Sequence, residues 1–453
     1  MDEVRKQGCE GVTDLPEGFK MTELGPLPEE WEVIRLGDVA RFETGKRERG
    51  GAQSQGEVFS VGGEHITEDG RLDFSSLKFI SRRFYEKLNS GKVKPGDTLV
   101  CKDGARTGKS AFIREIPSSG LAVNEHVFIV RPVNAQLYDE FLGYWFLSEQ
   151  AWQQLRVACH GLIGGITRED ISNFILPLPP LYEQRAIAHV LRTVQRAKEA
   201  TERVIQATRE LKKSLMRYLF TYGPVSVEEA ESVPLKETEI GLVPEHWEVV
   251  RLGEIGEVTA GGSAPQERYY FNGRHPFVRV QHLDEDGYWV RRWDLITDEA
   301  VQAYRLRFFP KGTIVLPKSG ASIRLEKRAV LPVDAYIVSH LCAVIPNSKA
   351  VDQRYLFYAL KVRKFSSEKV EGYPTLNLSE IRNALMPLPP LSEQRAIARV
   401  LRTVDKKLQA EEARKQALEA LFKSLLNNLM TGKIRVKDVV LPNVGEGKGD
   451  VTH

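Results

Sequence analysis

Cysteine is scarce in this chain of 453 residues, with four copies at Cys9, Cys101, Cys159 and Cys342. These residues lie far apart, form no Cys-x-x-Cys pair and have no nearby histidine pair that could complete a zinc site. Their spacing therefore predicts reduced, structural thiols rather than a metal site.

Long uncharged apolar runs are also missing. With 42% apolar and 28% charged residues, the composition is typical of a soluble globular protein and not of a membrane or disordered one. The first twenty residues, MDEVRKQGCEGVTDLPEGFK, are charged and contain no apolar core, which predicts no secretory signal and a cytoplasmic location. The length exceeds what one hydrophobic core usually spans, so two or three domains are expected.

Net charge is small as well, at +3, but it is unevenly distributed. Residues 182–222 carry nine Lys or Arg against four Glu, and residues 392–433 carry nine against five acids, giving +5 and +4. Such basic segments can follow nucleic-acid phosphates. Basic solvated helix faces are equally common, so charge alone does not decide whether the chain binds DNA.

Much of the chain occurs twice. PLPPLYEQRAIAHVLRTV from Pro177 and PLPPLSEQRAIARVLRTV from Pro387 differ at two of eighteen positions. TELGPLPEEWEVIRLG from Thr22 matches TEIGLVPEHWEVVRLG from Thr238, and CKDGARTGKSAFI weakly matches LPKSGASIRLEKRAV. The period is too long for a solenoid, so the pattern indicates a duplicated two-part domain.

Each half changes character at its proline segment. Short β-like runs separated by Gly, Asp and Pro turns precede the segment, and one amphipathic helix, near 138–155 and again near 353–365, interrupts them. This pattern predicts an α+β globule. The prolines predict an extended exit from the globule before the next helix begins. The predicted segments are an extension 1–21, a first globule 22–176, a spacer helix 177–222, a linker 223–242, a second globule 243–386, a second spacer helix 387–433 and a tail 434–453.

Apolar residues recur at gaps of three and four after the prolines, which predicts two coiled-coil helices. The predicted pairing residues are Ile187, Val190, Val194, Val204, Leu211 and Leu215 in the first helix, and Ile397, Val400, Val404, Leu418, Leu421 and Leu425 in the second. Charged residues in the middle of the second helix predict looser packing there, or another partner. We expect the helices to pair antiparallel around a pseudo-twofold axis. The alternative is that each helix packs only on its own globule.

The order W-E-V-x-R-L-G, variable globule, P-L-P-P-L-x-E-Q-x-x-I-A and long helix, present twice, resembles the DNA-specificity subunit of Type I restriction-modification systems. The resemblance runs from about Thr22 to Lys433. GGSAPQ, LPKSGASI and GYPTLNLSEI in the second half are similar to the family, whereas the first half has ETGKRERGGAQ, CKDGARTGKS and HGLIGGITREDI in those places. Different side chains on matching loops fit two domains that read different DNA sequences.

The resemblance implies separate roles for the globules and for the long helices. Each globule would be a target recognition domain, and the two together would read a split, asymmetric site in double-stranded DNA. The paired helices would hold the globules apart and dock two modification subunits, which bind S-adenosylmethionine and methylate adenine. Restriction and translocase subunits would complete the nuclease. The chain itself would perform no chemistry and hold no cofactor.

Catalytic motifs are missing, which agrees with that implication. The Asn-Pro-Pro-aromatic and Asp-Pro-Pro-Tyr motifs that hold a flipped adenine in methyltransferases do not occur. GARTGKS at 104–110 has three residues where a nucleotide-binding P-loop needs four. Asp97 and Lys102 lie close in sequence but do not make a nuclease site by themselves.

DNA contacts are expected from Arg, Lys, Asn and Gln side chains on the loops, because these hydrogen-bond to base edges and phosphates. The predicted contacts of the first half are Lys46, Arg47, Arg49, Arg82, Arg83, Lys102, Arg106 and Lys109. Those of the second half are Gln266, Arg268, Arg279, Gln281, His282, Lys318, Ser319, Ser322, Arg324, Tyr373, Thr375 and Asn377. Trp31 and Trp247 are predicted to be core anchors with no DNA role.

Alternatives remain at this point. The chain could be a coiled-coil scaffold that binds only protein, or an enzyme with an unrecognised site. It could also be the specificity subunit of a related system that cuts beside its site, which the sequence does not distinguish from the Type I arrangement.

Overall fold

The computed structural model describes residues 15–160, 164–285, 287–365 and 375–436. The chain divides into two compact units, of which unit 1 is Met1–Thr201 with Arg414–His453 and unit 2 is Glu202–Ala413. Each unit therefore combines one globule with half of each long helix. Most of the predicted N-terminal extension and of the C-terminal tail lies outside the described residues.

Unit 1 contains eleven strands among its described residues. They are β1 (Phe19–Thr22), β2 (Gly25–Pro28), β3 (Glu32–Arg35), β4 (Ala40–Thr44), β5 (Val58–Val61), β6 (Lys78–Ile80), β7 (Thr98–Cys101), β8 (Ser110–Phe112), β9 (Leu121–Val123), β10 (Val127–Pro132) and β11 (Ile175–Leu178). Its helices are α1 (Leu36–Val39), α2 (Arg82–Lys87), α3 (Asp139–Trp145), α4 (Glu149–Ala158), α5 (Arg168–Ser172), the first half of α6 (Leu181–Tyr222) and the second half of α11 (Leu391–Met430).

Unit 2 repeats this order with one additional short strand and with a single helix where unit 1 has α3 and α4. Its strands are β12 (Leu235–Thr238), β13 (Gly241–Pro244), β14 (Glu248–Arg251), β15 (Gly256–Ala260), β16 (His275–Val278), β17 (Asp294–Ile296), β18 (Phe308–Phe309), β19 (Ile314–Pro317), β20 (Ala329–Val330), β21 (Ala335–Ile337), β22 (Leu341–Pro346) and β23 (Leu385–Leu388). Its helices are α7 (Leu252–Ile255), α8 (Asp298–Ala303), α9 (Gln353–Val362), α10 (Leu378–Asn383), the second half of α6 and the first half of α11.

The two globules share one sheet topology. The order β4-β10-β7-β8 in unit 1 corresponds to β15-β22-β19-β20 in unit 2. A second sheet in each unit contains one parallel pair, β5 with β9 and β16 with β21, among otherwise antiparallel strands. The predicted α+β globule, present twice, is confirmed.

The amphipathic helix predicted near 138–155 is divided in two. α3 ends at Trp145 and α4 begins at Glu149. Ser148 caps the second helix, because its hydroxyl accepts a hydrogen bond from the Ala151 N–H at 3.4 Å. The prediction of one continuous helix was therefore wrong, since a capping serine within the apolar pattern starts a new helix.

The two most repeated sequence blocks contact each other within each unit. The strand of the W-E-V block pairs antiparallel with the proline strand, so that Val33 lies opposite Pro177 and Val249 opposite Pro387. The indole N–H of Trp31 donates to Glu183 at 2.9 Å. Both Trp31 and Trp247 are 0% exposed, as expected of core anchors.

The glutamine of each E-Q pair connects three segments. The side-chain oxygen of Gln184 accepts from the Tyr138 N–H at 2.8 Å, and its amide donates to the Pro179 carbonyl at 2.8 Å. Gln394 makes the same two bonds, to the Asp352 N–H at 2.7 Å and the Pro389 carbonyl at 2.8 Å. The repeated motif thus fixes the start of each spacer helix to its globule.

The long helices pack on each other in both units, which confirms the predicted pairing. The buried cluster of unit 1 contains Ile187, Leu191, Leu426 and Leu429. That of unit 2 contains Leu219, Phe220, Ile397 and Leu401. In unit 2, Arg209 pairs with Glu412 at 2.9 Å and Lys212 with Asp405 at 2.7 Å, so the helices run antiparallel. The same clusters contain globule residues, so each helix also packs on its globule.

Four of the twelve predicted pairing positions, which were to form the seam between the two long helices, need correction. The structure buries Ile187, Val190, Val194 and Ile397, half-buries Leu215, Val404, Leu418 and Leu425, and exposes Val204, Leu211, Val400 and Leu421. The four exposed residues were wrongly assigned to helix pairing. The seam advances by four residues and then three, not by three and then four, so the buried alternate positions include Leu191, Lys198, Ile205, Leu401 and Leu408.

Charged side chains concealed this register in the sequence. Lys198 lies at a seam position, where its ammonium donates to Asp69 at 2.6 Å. Lys212, two heptads later, pairs with Asp405. A buried lysine is accepted because a carboxylate compensates its desolvation.

Candidate nucleic-acid interface

In each unit, the loop that follows one central strand is hydrogen-bonded to a histidine. We call this loop with its histidine the loop frame. After β7 the chain runs through Lys102 and Asp103, and the Asp103 carboxylate accepts a hydrogen bond from Nδ1 of His126 at 2.7 Å. After β19, the Ser319 hydroxyl shares a hydrogen bond with Nδ1 of His340 at 2.6 Å. Backbone bonds from Lys102 to the carbonyl of His126 and from Lys318 to that of His340, both 2.9 Å, hold each loop in place.

A third segment joins this frame. Ile166 N–H donates to the Lys102 carbonyl, and Leu376 N–H donates to the Lys318 carbonyl, both at 2.8 Å. Thr375 forms a β-bridge with Ser319. In each globule, the predicted recognition loop at Lys102 or Lys318 therefore lies between a histidine loop and this third segment.

Two adjoining cavities open beside the loop frame of unit 1, with volumes of about 300 and 860 Å³. Glu64 and His126 line both cavities. The predicted contacts Lys46 and Arg47 line the smaller one, and Arg106 lines the larger one. The structure thus brings together cations that lie about sixty residues apart in sequence.

Sequence reasoning missed several polar residues of the same cavities. Lys78, Asn124 and His126 line the smaller cavity, and His160 lines the larger one. The histidine could have been found, because His126 and His340 follow corresponding strands of the two halves. Asn124 has no such repeated partner in the sequence, since Val338 occupies its place.

The remaining first-half predictions differ in their surroundings. Arg49 and Arg83 are exposed, and Arg82 is half-buried with its guanidinium 5.8 Å from the Tyr85 ring. Glu48 accepts a hydrogen bond from the Ser81 N–H at 3.0 Å, which places the loop of Arg49 beside the start of α2.

Lys102 and Lys109 are less available than the sequence suggested. The Lys102 ammonium lies 5.9 Å from the Phe128 ring, and the side chain is half-buried. Lys109 pairs with Glu68 at 2.8 Å.

In the second half, the predicted contacts also divide by exposure. Gln266, Arg268, Gln281 and Arg324 are exposed, whereas Lys318, Ser319 and Ser322 are half-buried. Arg268 stacks over the Tyr269 ring at 4.8 Å. Tyr373 lies outside the described residues.

His282 is a structural residue, and its prediction as a DNA contact was wrong. The side chain is 7% exposed, and its Nδ1 accepts from the Arg279 N–H at 3.0 Å. His65 makes the same bond to the Gly62 N–H at 2.8 Å in unit 1. Burial lowers the pKa of His282, which keeps the ring neutral inside its turn.

Arg279 and Asn377 are likewise committed to the fold. The Arg279 guanidinium pairs with Asp294 at 2.7 Å and stacks over Tyr270 at 4.7 Å. Asn377 caps α10 by accepting the Glu380 N–H at 2.8 Å. Neither side chain has the freedom expected of a base-reading group, since each is held by the partners that shape the loop.

The described residues contain no group of three or more His, Cys, Asp or Glu that could hold a metal. No helix among them is long and apolar enough to cross a membrane. Burial raises the pKa of the Cys101 thiol to about 11 and that of Cys342 to about 12, so neither is a reactive thiolate near neutral pH.

Comparison with known proteins agrees with this architecture. The sequence model of the Type I restriction modification DNA specificity domain matches residues 28–209 and again 244–420. The specificity subunit of the Type I restriction enzyme MjaVIII from Methanocaldococcus jannaschii is 26% identical over 435 residues, covering 93% of this chain and 97% of the relative. The specificity subunit of Escherichia coli EcoDI is 22% identical, covering 83% of this chain and 81% of the relative.

Solved structures show the same fold. A Type I restriction-modification S subunit from M. genitalium superimposes with a TM-score of 0.58 at 16% identity, covering 88% of this chain and 96% of that chain. A chain from a structural study of Type I complex assembly gives a TM-score of 0.51 at 20% identity, covering 90% and 99%.

Proposed function

Because this chain belongs to the family of Type I restriction-modification DNA-specificity subunits, which recognise DNA without catalysing a reaction, we propose that units 1 and 2 read the two parts of one asymmetric site. One observation carries the proposal: the specificity domain occurs twice, and each copy presents different side chains on the same loop frame. Asp103 in unit 1 corresponds to Ser319 in unit 2. Two domains that share one fold but present different polar groups recognise different bases.

The cavities of unit 1 suggest how the contacts divide. Lys46 and Arg47 lie on an exposed loop, where they can fix the register on phosphates. Asn124 lies deeper in the same cavity, and its Oδ1 accepts the His126 N–H at 3.0 Å, which leaves its amide N–H groups to donate to a base edge.

The partners follow from the same family assignment. The chain acts within a Type I complex together with DNA and other subunits of the system. We infer that two modification subunits dock on α6 and α11, that they bind S-adenosylmethionine and methylate adenine, and that restriction subunits join them. The complex would act in the cytoplasm, where its DNA lies. The family assignment favours this function over a scaffold that binds only protein.

The proposal is tested by removing four loop cations together, with Arg47, Arg49, Lys318 and Arg324 each changed to Ala in the full chain bound to its modification subunit. We expect loss of DNA binding, measured by fluorescence anisotropy, with assembly of the complex unchanged. The matched control changes Lys20, Lys311, Lys349 and Lys433, which lie outside the recognition loops, to Ala. Unchanged DNA binding by the loop variant would support the protein-only scaffold instead.

A further inference from the structure

A basic cleft in unit 2 lies outside the recognition loops. It has a volume of about 450 Å³ and lies between the first turns of α11 and the N-terminus of α9. Five of its lining residues are cations: Arg354, Arg395, Arg399, Arg402 and Lys406.

Asp352, the acidic residue that lines the cleft, forms no ion pair with these cations. The carboxylate of Asp352 caps α9 by accepting the N–H groups of Arg354 at 2.9 Å and Tyr355 at 3.2 Å. Among the described residues, no ion pair involves any of the five cations of the cleft. Arg402 stacks over the Tyr288 ring at 5.0 Å, which leaves its charge uncompensated.

At the position that corresponds to this cleft, unit 1 has a buried glutamate. Tyr138 and Asp352 occupy equivalent positions, since each donates its N–H to the glutamine of an E-Q pair. Two residues later unit 1 has Glu140, and unit 2 has Arg354. Glu140 is buried and accepts from Arg192, the counterpart of Arg402, at 2.9 Å. Unit 2 has therefore replaced an internal counterion by a further cation, and its cleft attracts anions from outside the chain.

The arrangement of the cations favours a ligand whose negative charges repeat at regular intervals. Arg395, Arg399, Arg402 and Lys406 follow one face of α11 at gaps of four, three and four residues. The row spans ~16 Å along the helix at about 1.5 Å per residue. One DNA strand places a phosphate about every 3.4 Å along the duplex axis, so a row of this length can face several consecutive phosphates.

The lining favours a nucleic acid over an acidic protein segment. Protein interfaces gain most of their energy from a central apolar or aromatic anchor. Ala398 is the one apolar residue that lines the cleft among the described residues. Surfaces that hold phosphates without reading sequence consist mainly of Arg and Lys, as this one does.

We propose that this cleft binds backbone phosphates of DNA without sequence preference and adds affinity to the base-reading loops. The inference rests on the proposed function, because it requires that the complex binds DNA. It assigns to the second spacer helix a DNA contact that the first helix, with Glu140 in place, makes more weakly.

The test compares two variants of the full chain in complex with its modification subunit. Arg395→Ala with Arg399→Ala removes two cations from the row, and Arg354→Glu restores the acid of unit 1. Lys311→Ala with Lys433→Ala is the control of matched charge, since both lysines are exposed and lie outside the cleft. The dissociation constant is measured at several KCl concentrations, for the duplex that methylation mapping identifies and for an unrelated duplex.

We expect both cleft variants to weaken binding of the two duplexes by the same factor, roughly tenfold for the double variant, and to lower the salt slope by about one for each lost contact. The control should retain the wild-type slope. Unchanged dissociation constants would overturn the proposal, and a simultaneous loss of assembly would identify the cleft as a protein-docking site. Weakening of the mapped duplex alone would also overturn it. A wild-type complex that does not distinguish the two duplexes would contradict the proposed function, while equal weakening by the variants would still support the cleft.

Discussion

The most repeated residues of the chain hold each globule to its spacer helix, as two pairs show: Trp31 with Glu183, and Trp247 with Glu393. Each indole N–H donates to a glutamate of the following spacer helix at 2.9 Å. A buried donor or acceptor without a partner costs free energy, so each tryptophan requires its glutamate. The residues that differ between the halves lie on the loops, where the fold constrains them less.

Asp69 illustrates a single residue that joins a globule to its spacer helix. Its carboxylate accepts hydrogen bonds from the Lys198 ammonium and the Thr67 hydroxyl, both at 2.6 Å. Burial alone raises the pKa of this carboxyl, but these bonds together with Arg71 outweigh burial and lower the pKa below its ordinary value. The ionised form is therefore the one that stabilises unit 1.

We predict that Asp69→Ala lowers the free energy of unfolding of unit 1 by about 2 kcal/mol at pH 7, because it leaves Lys198 buried without a partner. Since the folded pKa is depressed, this stabilisation is fully present above the unfolded pKa of about 3.9 and is lost progressively as the pH falls from there through the folded pKa. Urea denaturation at pH 7 and pH 3 measures the difference. Glu68→Ala, which removes the partner of Lys109 from a surface pair, should cost clearly less, because solvent screens an exposed ion pair. Equal costs for both variants at pH 7 would contradict the account.

At the scale of elements, the spacer helices show which residue of a neighbouring pair forms the seam. Val204 is 40% exposed, and Ile205 is 6% exposed. The apolar pattern favoured valine, because Val204 lies two heptads after Val190. The structure buries isoleucine, because the true alternate positions include charged Lys198 and Lys212.

We predict that Ile205→Ala lowers the free energy of unfolding by about 2 kcal/mol, since it removes buried apolar volume. Val204→Ala should change it by less than about 0.5 kcal/mol, because the side chain lies mainly in solvent. Denaturant midpoints of the two full-length variants provide the comparison. A larger loss of unfolding free energy for Val204→Ala than for Ile205→Ala would support the register that the apolar pattern predicted.

Duplication made most of the fold predictable. The repeated blocks revealed two α+β globules and two paired helices, because each block recurs with the same apolar and turn residues. The seam register was not predictable, since it depends on Asp69 and Asp405 compensating lysines from distant segments. The candidate site was predictable as loops but not as residues. Whether His282 is buried, or Asn377 caps a helix, depends on neighbours that the local sequence does not show.

For the whole molecule, duplication implies that the two halves of the recognised site are independent. We predict that Asn124→Ala relaxes recognition of one half of the methylated motif and leaves the other half unchanged, because Asn124 belongs to unit 1 and is the side chain proposed to read a base edge there. Single-molecule sequencing of methylated host DNA measures both halves at once. The converse variant, Arg324→Ala, should affect the half read by unit 2. Equal effects of each variant on both halves would contradict independent reading.

The most direct measurement is co-expression of the full chain with its modification subunit, followed by mapping of methylated adenines in the host DNA. The account predicts one asymmetric motif of two specific parts separated by a gap of unspecified bases. A continuous motif without a gap, or the same methylation in cells that lack this chain, would contradict it.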